Sequence, residues 1–572
     1  MKRSRRIIAF RGHGAGLRKV GLAILAISVA LLVLSSTMPT AVSTTPALFH
    51  QPSVSTLHSA TSSPPVGGGD WPTYLQNPMR TSANSGETSL SSANARNLTT
   101  IWSYDEPTIS ANGSDLISAE ATLANNVAYV GSWNGFETAL NASTGAVLWG
   151  TYLGTDDMTG VCGAQNFGHQ GVASTPTVDD GTLYVGGGDG YWYVLNASTG
   201  VIEWKVLIGN ITEGYYNWAS PLIYDGFAYV GVSSLCDTPL VPGGLDQVNL
   251  TSHRIQNFIN TTAPGVDGAS VWGSPSLDPS TGTVYFATGS NTSYPPFAPM
   301  PFEPWADALV AVSAANITHV VSNWTIPLRL QAVDGDFGST PTLFQSSNGT
   351  ELVGALDKNG YFYVLNASNL SAGPLWSHLV GRIYNGAYIV GSAAFGQGLL
   401  YLQTAEPPLI NGVSYSGAAW AFNPATGAVV WEQTLPGGSF GSAPAYANGL
   451  LVVGGGDDLV VLNATTGTIL QSFPCTSLFL APPAIAYNMI YAGCASGQEF
   501  AYGLPPTHST TGGLSTLEYA AIGVGVILLL AGIAVFMRSR RKATPARRIA
   551  PVPPEGAEKP GSGAKSGKTG NR

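Results

Sequence analysis

The residues of this 572-residue chain that could do chemistry are few and unevenly placed. Between Val20 and Met537 lie only 7 of its 24 Lys and Arg but 31 of its 33 Asp and Glu. A body this acidic repels a phosphate backbone, which excludes a simple nucleic-acid binder. Four cysteines, Cys162, Cys236, Cys475 and Cys494, are candidates for disulfides in an oxidising compartment. A metal site built from Cys162, Cys236 and His169 is disfavoured, because the spacing matches no zinc pattern. The sequence holds no phosphate-binding glycine loop, no nucleophile elbow and no zinc-peptidase motif. Gly186–Gly188 and Gly454–Gly456 are glycines of a repeated strand and turn.

The two ends place the acidic body. Residues 1–41 open with Lys2, Arg3, Arg5 and Arg6, stay basic to Lys19 and turn apolar from Val20 to Leu34. This is the pattern of an export signal, cleaved or retained as a signal-anchor helix. Residues 42–69 are a low-complexity linker and 505–518 a second linker. Tyr519 to Met537 carries no charge and is followed at once by Arg538, Arg540, Arg541 and Lys542. Such a stretch spans roughly 28 Å as a helix, enough for a bilayer core, and the basic stop orients it with the tail, 538–572, in the cytoplasm. The expected localisation is therefore the cell membrane, with one C-terminal transmembrane helix holding an extracellular domain. Fourteen N-x-S/T sequons between Asn97 and Asn463 make that domain a candidate glycoprotein.

Residues 70–504 must position whatever site exists. Residues 119–154 and 173–209 share one pattern, short apolar or alternating runs cut by Gly, Asn and Asp turns, which predicts four antiparallel strands per copy. Further copies start near Ala219, Gly273, Gly338, Gly391, Gly441 and Ala481. Eight copies at periods of roughly 40 to 65 residues predict an all-β, eight-bladed β-propeller of four-stranded antiparallel blades. The last copy lacks a fourth strand, and an open edge is a liability. Thr99–Asp105, a lone strand-like run ahead of the first complete copy, is predicted to supply it.

The turn into the fourth strand has its own signature. Ala139, Asn141, Thr144, Gly145 and Trp149 fit A-x-N-x-x-T-G-x-x-x-W, and the series Asn196, Thr199, Gly200, Trp204 and Asn423, Thr426, Gly427, Trp431 repeat it. Blade seven keeps Asn463, Thr466 and Gly467 but has Gln471 for the tryptophan. The Asn side chain caps the turn, Gly takes the positive φ and Trp is an apolar anchor. This resembles the tryptophan-docking repeat of the quinoprotein alcohol dehydrogenase superfamily, the PQQ-like β-propellers, over about residues 70 to 504. A non-enzymatic outer-membrane assembly lipoprotein carries that repeat too.

Three segments, Asp70–Asn84, Val271–Asn291 and Asp334–Pro341, look like polyvinyl alcohol dehydrogenase and its PQQ-dependent relatives in particular. The resemblance implies that Trp272 stacks on the quinone, that Asp336 is the base taking the alcohol proton and that Lys358 contacts the quinone. In a four-stranded meander the loop into the first strand and the loop between the second and third lie at one end of every blade, so these three residues should ring one mouth of the channel. The long insertions near Gly154–Gly171, Ser233–Gly244, Ser290–Asp307 and Thr404–Tyr415 fall at the same end. The calcium that accompanies the quinone fits less well. Cys236 occupies roughly the position of its glutamate, and Ser290 stands where a second ligand belongs, with Asn291 one residue late. Asp237 or Asn291 could substitute only by a shift in register, and calcium wants several hard oxygen ligands.

Cys475 ends blade seven and Cys494 lies in blade eight, so that pair would tie the closure of the ring. Cys162 and Cys236, both in mouth loops, would form a second bridge, with other connectivities open. The favoured reading is a binding or assembly module whose loop-rich mouth takes an extracellular protein, glycan or small molecule. The rival is a PQQ- and calcium-dependent alcohol dehydrogenase with a degenerate calcium site.

Overall fold

The computed structural model describes residues 69–107, 115–156, 169–236, 239–291, 303–331, 335–382, 390–438 and 441–505. The expected signal and transmembrane segments lie outside them, as do Cys162 and Asp237. Among the described residues no helix is long and apolar enough to cross a membrane.

Eight antiparallel sheets follow one another along the chain. Blade one is Thr122–Ala124, Val127–Gly131, Phe136–Asn141 and Val147–Tyr152, and blade two is Thr177–Asp179, Thr182–Gly186, Tyr191–Asn196 and Ile202–Leu207. Blade three is Leu222–Tyr224, Phe227–Ser234, Gly244–Asn249 and Arg254–Asn260, with Tyr215–Tyr216 added beside its second strand. Blade four is Ser276–Asp278, Thr283–Ala287, Ala308–Ser313 and Asn316–Thr325, and blade five is Thr342–Gln345, Glu351–Leu356, Tyr361–Asn366 and Pro374–Leu379. Blade six is Ala394–Gly396, Leu399–Ala405, Gly417–Phe422 and Val429–Leu435, and blade seven is Ala445–Ala447, Leu450–Gly454, Asp458–Asn463 and Ile469–Pro474. Blade eight takes Ala484–Ala486, Met489–Cys494 and Gln498–Gly503 from the end of the array, and Thr99–Asp105 closes it as the outermost strand. In that pairing Thr99 faces Gly503 and Asp105 faces Gln498, so the ring is shut by hydrogen bonds between the two ends of the domain.

Burial follows from stacking blade on blade. Middle strands such as Tyr191–Asn196 are packed on both faces and read as continuous apolar runs, whereas the outermost Ile202–Leu207 is largely exposed. Tryptophans of the outermost strands bridge neighbouring blades. The Trp102, Trp149, Trp376 and Trp431 indoles donate to the carbonyls of Ala142, Ala197, Pro424 and Ala464 in the next blade. Each ring covers the turn glycine there, so that a Cβ at Gly200 would lie 2.5 Å from Trp149. Gly200 is therefore required twice, by its φ of +69° and by the ring above it.

Residues 71–84 circle the inside of the ring. Trp71 pairs with Leu123, and the carbonyls of Pro72, Pro78, Met79, Thr81 and Ser82 accept from the innermost strands of blades two, four, five, six and seven. Arg80, fully buried, donates to the carbonyl of Pro221 in blade three, and Asn84 donates to that of Ile485 in blade eight. The segment approaches from the end of the short turns: the Tyr487 hydroxyl donates to Asp70, and Asn448 donates to the carbonyls of Thr88 and Leu90. A second circlet runs from blade to blade. The backbone N–H of Thr175, Ser220, Ser274 and Thr340 donates to the hydroxyl of Ser220, Ser274, Thr340 and Ser392 in turn. The long connections all fall at the other end, where the mouth is.

Candidate functional site

Trp272, Asp336 and Lys358 meet at that mouth. Trp272 comes just before the innermost strand of blade four, Asp336 lies in the connection from blade four to five, and Lys358 is in the turn between the second and third strands of blade five. The Lys358 ammonium donates to Asp336 Oδ2 at 2.5 Å and lies 5.4 Å from the centroid of the Trp272 ring. Asp336 Oδ1 accepts from the backbone N–H of Ser290 at 2.5 Å. Two glycines make room: a Cβ at Gly289 would come within 2.6 Å of the Asp336 carboxylate, and one at Gly338 within 2.5 Å of the Trp272 ring. Trp272 is half-buried, while the Asp336 and Lys358 side chains are only 10% and 11% exposed. The arrangement is an aromatic face with a cation beside it and a carboxylate whose charge that cation balances.

Two carboxyls missed in the sequence lie behind this trio. Asp307, just ahead of the third strand of blade four, and Asp357, beside Lys358, are both buried, and Asp307 Oδ1 and Oδ2 and Asp357 Oδ2 meet no hydrogen-bond donor. Burial, before any charge nearby, drives both away from the ordinary carboxylate range: Asp357 is pushed up to about 7 and Asp307 also well up. The repeat carries a partial signal, because Asp307 stands at a position that is glycine in blades one, two, three, five and eight but Asp457 in blade seven.

Of the expected calcium ligands, Asp237 lies outside the described residues. Cys236 is in a disulfide. Its neighbours Ser233 and Ser234 spend their hydroxyls inside the protein: Ser233 donates to the Tyr216 carbonyl, and Ser234 accepts from the Val241 N–H and from the Ser270 hydroxyl. Ser290 offers Asp336 its backbone N–H, and Asn291 is buried against Gly268. Among the described residues no three His, Cys, Asp or Glu side chains are arranged to hold a metal ion. The described donors alone offer fewer hard oxygen ligands than calcium takes. His169 sits instead beside Asp156, its Nδ1 2.6 Å from that residue's carbonyl oxygen. Cys475 and Cys494 form a disulfide at the closure of the ring.

Fold and mouth together define an eight-bladed propeller with docked tryptophans and a polar, loop-rich opening. The family model PQQ_2, described as outer membrane protein assembly factor BamB, matches residues 55–213, 87–294 and 416–502, more than half of the chain. The chain belongs to this family of PQQ-like β-propellers. Quinoprotein alcohol dehydrogenase PedH of Pseudomonas putida is 25% identical over 317 residues, 48% of this chain and 50% of that protein. Tetrathionate hydrolase of Acidithiobacillus ferrooxidans is 25% identical over 287 residues, 50% of this chain and 52% of that protein. The chain thus spans about half the length of these relatives. BamB of Yersinia pestis is 29% identical over 135 residues, 23% of this chain and 30% of that protein. Among solved structures, a europium-containing methanol dehydrogenase superposes with a TM-score of 0.62 at 15% identity, covering 76% of this chain and 98% of that one, which bears on the fold alone.

Proposed function

We propose that this protein is a membrane-anchored extracellular binding module whose mouth takes a planar, anionic group, laid on Trp272 and held by Lys358. The observation that carries the reading is the Lys358 ammonium beside the half-buried Trp272 face, in a domain that has very few cations. A flat ligand gains by stacking, and an anion gains by drawing the ammonium from Asp336. The anchor and the outward orientation are read from the chain ends. The descent shared with BamB supports a binding role, but a protein partner would have to present such a group.

A second reading, a quinone-dependent alcohol dehydrogenase, is favoured by the pairing of Asp336 with the Lys358 that lies over Trp272. Against it, both oxygens of Asp336 are engaged, and among the described residues no three His, Cys, Asp or Glu side chains are arranged to hold a metal ion. Titrating PQQ, a planar tricarboxylate, into the protein in the presence of a chelator and following tryptophan fluorescence tests the first reading. Saturable binding weakened about 10-fold or more in both Lys358→Ala and Trp272→Ala, the worth of one charged or stacking contact, is expected. Equal binding by wild type and both variants would remove the site.

A further inference from the structure

The outermost strands carry a β-bulge close to their start, which turns one extra side chain out of the pleat. In blade one Ala139 pairs with Trp149 and Leu140 with Val147, so Leu148 is the extra residue. The same register gives Leu375, Val430, Leu470 and Ile101 in blades five, six, seven and eight. Blades two and three have Glu203 and Gln256 there, and the strand of blade four is irregular. Leu148 is 51% and Val430 50% exposed, each next to an exposed valine, Val147 or Val429. Val201 and Ile202 of blade two are exposed too, but Glu203 follows them. An edge strand open to water is ordinarily guarded by charge, as Glu203 guards blade two, whereas five consecutive blades present an aliphatic side chain instead.

The turns at this end repeat the division. In blades six, seven and one, the turns between first and second and between third and fourth strands contain no Asp, Glu, Lys or Arg, and neither does the first turn of blade eight. The entering segment adds one exposed charge of each sign, Asp70 and Arg96. In blades two and three Asp179, Asp180 and Asp225 lie exposed at the corresponding first turns. In a body with 31 Asp and Glu against 7 Lys and Arg, four consecutive blades without charge at one end are a departure.

The path of the chain names the occupant. Leu504 and Pro505 follow Gly503, which pairs with Thr99 at the short-turn end of blade eight, within the uncharged sector. Residues 505–518, 14 in number, cover at most about 50 Å before the uncharged Tyr519–Met537 and its basic stop. A bilayer holding that stretch lies within reach of blade eight. We propose that the short-turn end of blades six, seven, eight and one rests on the bilayer surface, its aliphatic bulge residues among the lipid headgroups and its mouth turned away from the membrane. This rests on the membrane-anchored reading above. Aliphatic side chains gain by leaving water, and no turn of that sector has a charge to strip of its hydration. The acidic turns of blades two and three stay in water. Sequons at Asn97, Asn141 and Asn463 lie at this end, and the contact requires them to be unmodified.

The test reconstitutes the full-length protein into phosphatidylcholine vesicles with a spin label on Leu148→Cys, Val430→Cys, Asp225→Cys or Leu409→Cys in turn. Collisions with oxygen, which concentrates in lipid, are compared with collisions with a water-soluble nickel chelate. The oxygen-to-nickel ratio should be about 10-fold higher at Leu148 and Val430 than at Asp225 or at Leu409 in a mouth loop, the equilibrium factor for burying one aliphatic side chain. Adding Ile101→Glu and Val430→Glu to the Leu148→Cys protein should return its ratio to that of Leu409. Equal ratios at all four positions, on protein that resists extraction by alkaline carbonate, would overturn the contact alone. Release of the protein by carbonate would sink the anchored reading itself. Spin–spin broadening between labels of different copies would put a second copy on the sector in place of lipid, and a glycan on Asn141 of the native protein would likewise overturn the proposal.

Discussion

Asp336 is held by a backbone N–H on one oxygen and an ammonium on the other, and both side chains of the ion pair are nearly closed off from water. Removing one member leaves the other buried without compensation, a loss of about 3–5 kcal/mol, whereas replacing both by neutral groups is far milder. Lys358→Met is therefore expected to lower the unfolding free energy by that amount, and the double variant Lys358→Met/Asp336→Asn to recover most of it, as read by denaturant titration. Additive losses would mean that the pair is not coupled. Trp272, Asp336 and Lys358 were legible together in the sequence because a meander fixes which loops share an end. Asp307 and Asp357 were not, since what sets them apart is their burial and, at Asp307, a φ of +57° that no spacing displays. Cys236 was legible as a departure from a calcium site, but the commitment of the Ser233 and Ser234 hydroxyls follows only from the packing around them.

Among the elements, the docking turns carry the fold's regularity. Gly200 and Gly226 both have positive φ, +69° and +78°, but Gly200 lies under the Trp149 ring and Gly226 has nothing within 4 Å of a built Cβ. Gly226→Ala is expected to cost about 1 kcal/mol for the backbone alone. Gly200→Ala should cost clearly more, because the ring must also give way, and thermal melts of the two variants check this. Equal losses would mean that the tryptophan contributes no constraint. The copies that match A-x-N-x-x-T-G-x-x-x-W were readable for this reason. Blade three hid its version because His253, at φ +58°, replaces the glycine, and Trp204 stacks flat on its ring with centroids 4.3 Å apart. The closing strand Thr99–Asp105 could be assigned from an unpaired edge, and its Trp102 docks on blade one as the others do. The circlet made by residues 71–84 was invisible, because its hydrogen bonds come from a chain with no strand pattern of its own.

For the whole molecule the acidic composition has a consequence for stability. At the junction of blades eight and one, Glu106, Glu137 and Glu499 are buried, and the carboxyl oxygens of Glu137 and Glu499 meet no hydrogen-bond donor. Burial raises Glu106 to about 7 and the other two well above the usual range, with Glu106 adding to each. The folded protein then holds protons that the unfolded chain releases above about pH 4.5. Their stabilising effect is complete below that pH and is lost as pH rises through 7. The melting temperature should accordingly fall between pH 5 and 8, with about 3 kcal/mol attributable to Glu106 alone, and Glu106→Gln should flatten part of the slope in a calorimetric series. A protein more stable at pH 8 than at pH 5 would show that these carboxyls ionise without cost.

The binding account and its rival part most sharply over calcium and turnover. Purified protein supplied with PQQ, calcium and a primary alcohol is assayed for alcohol-dependent reduction of an artificial electron acceptor, with Asp336→Asn as control. The account predicts PQQ binding that a chelator does not weaken and no alcohol-dependent reduction. Calcium-dependent turnover abolished by Asp336→Asn would contradict it.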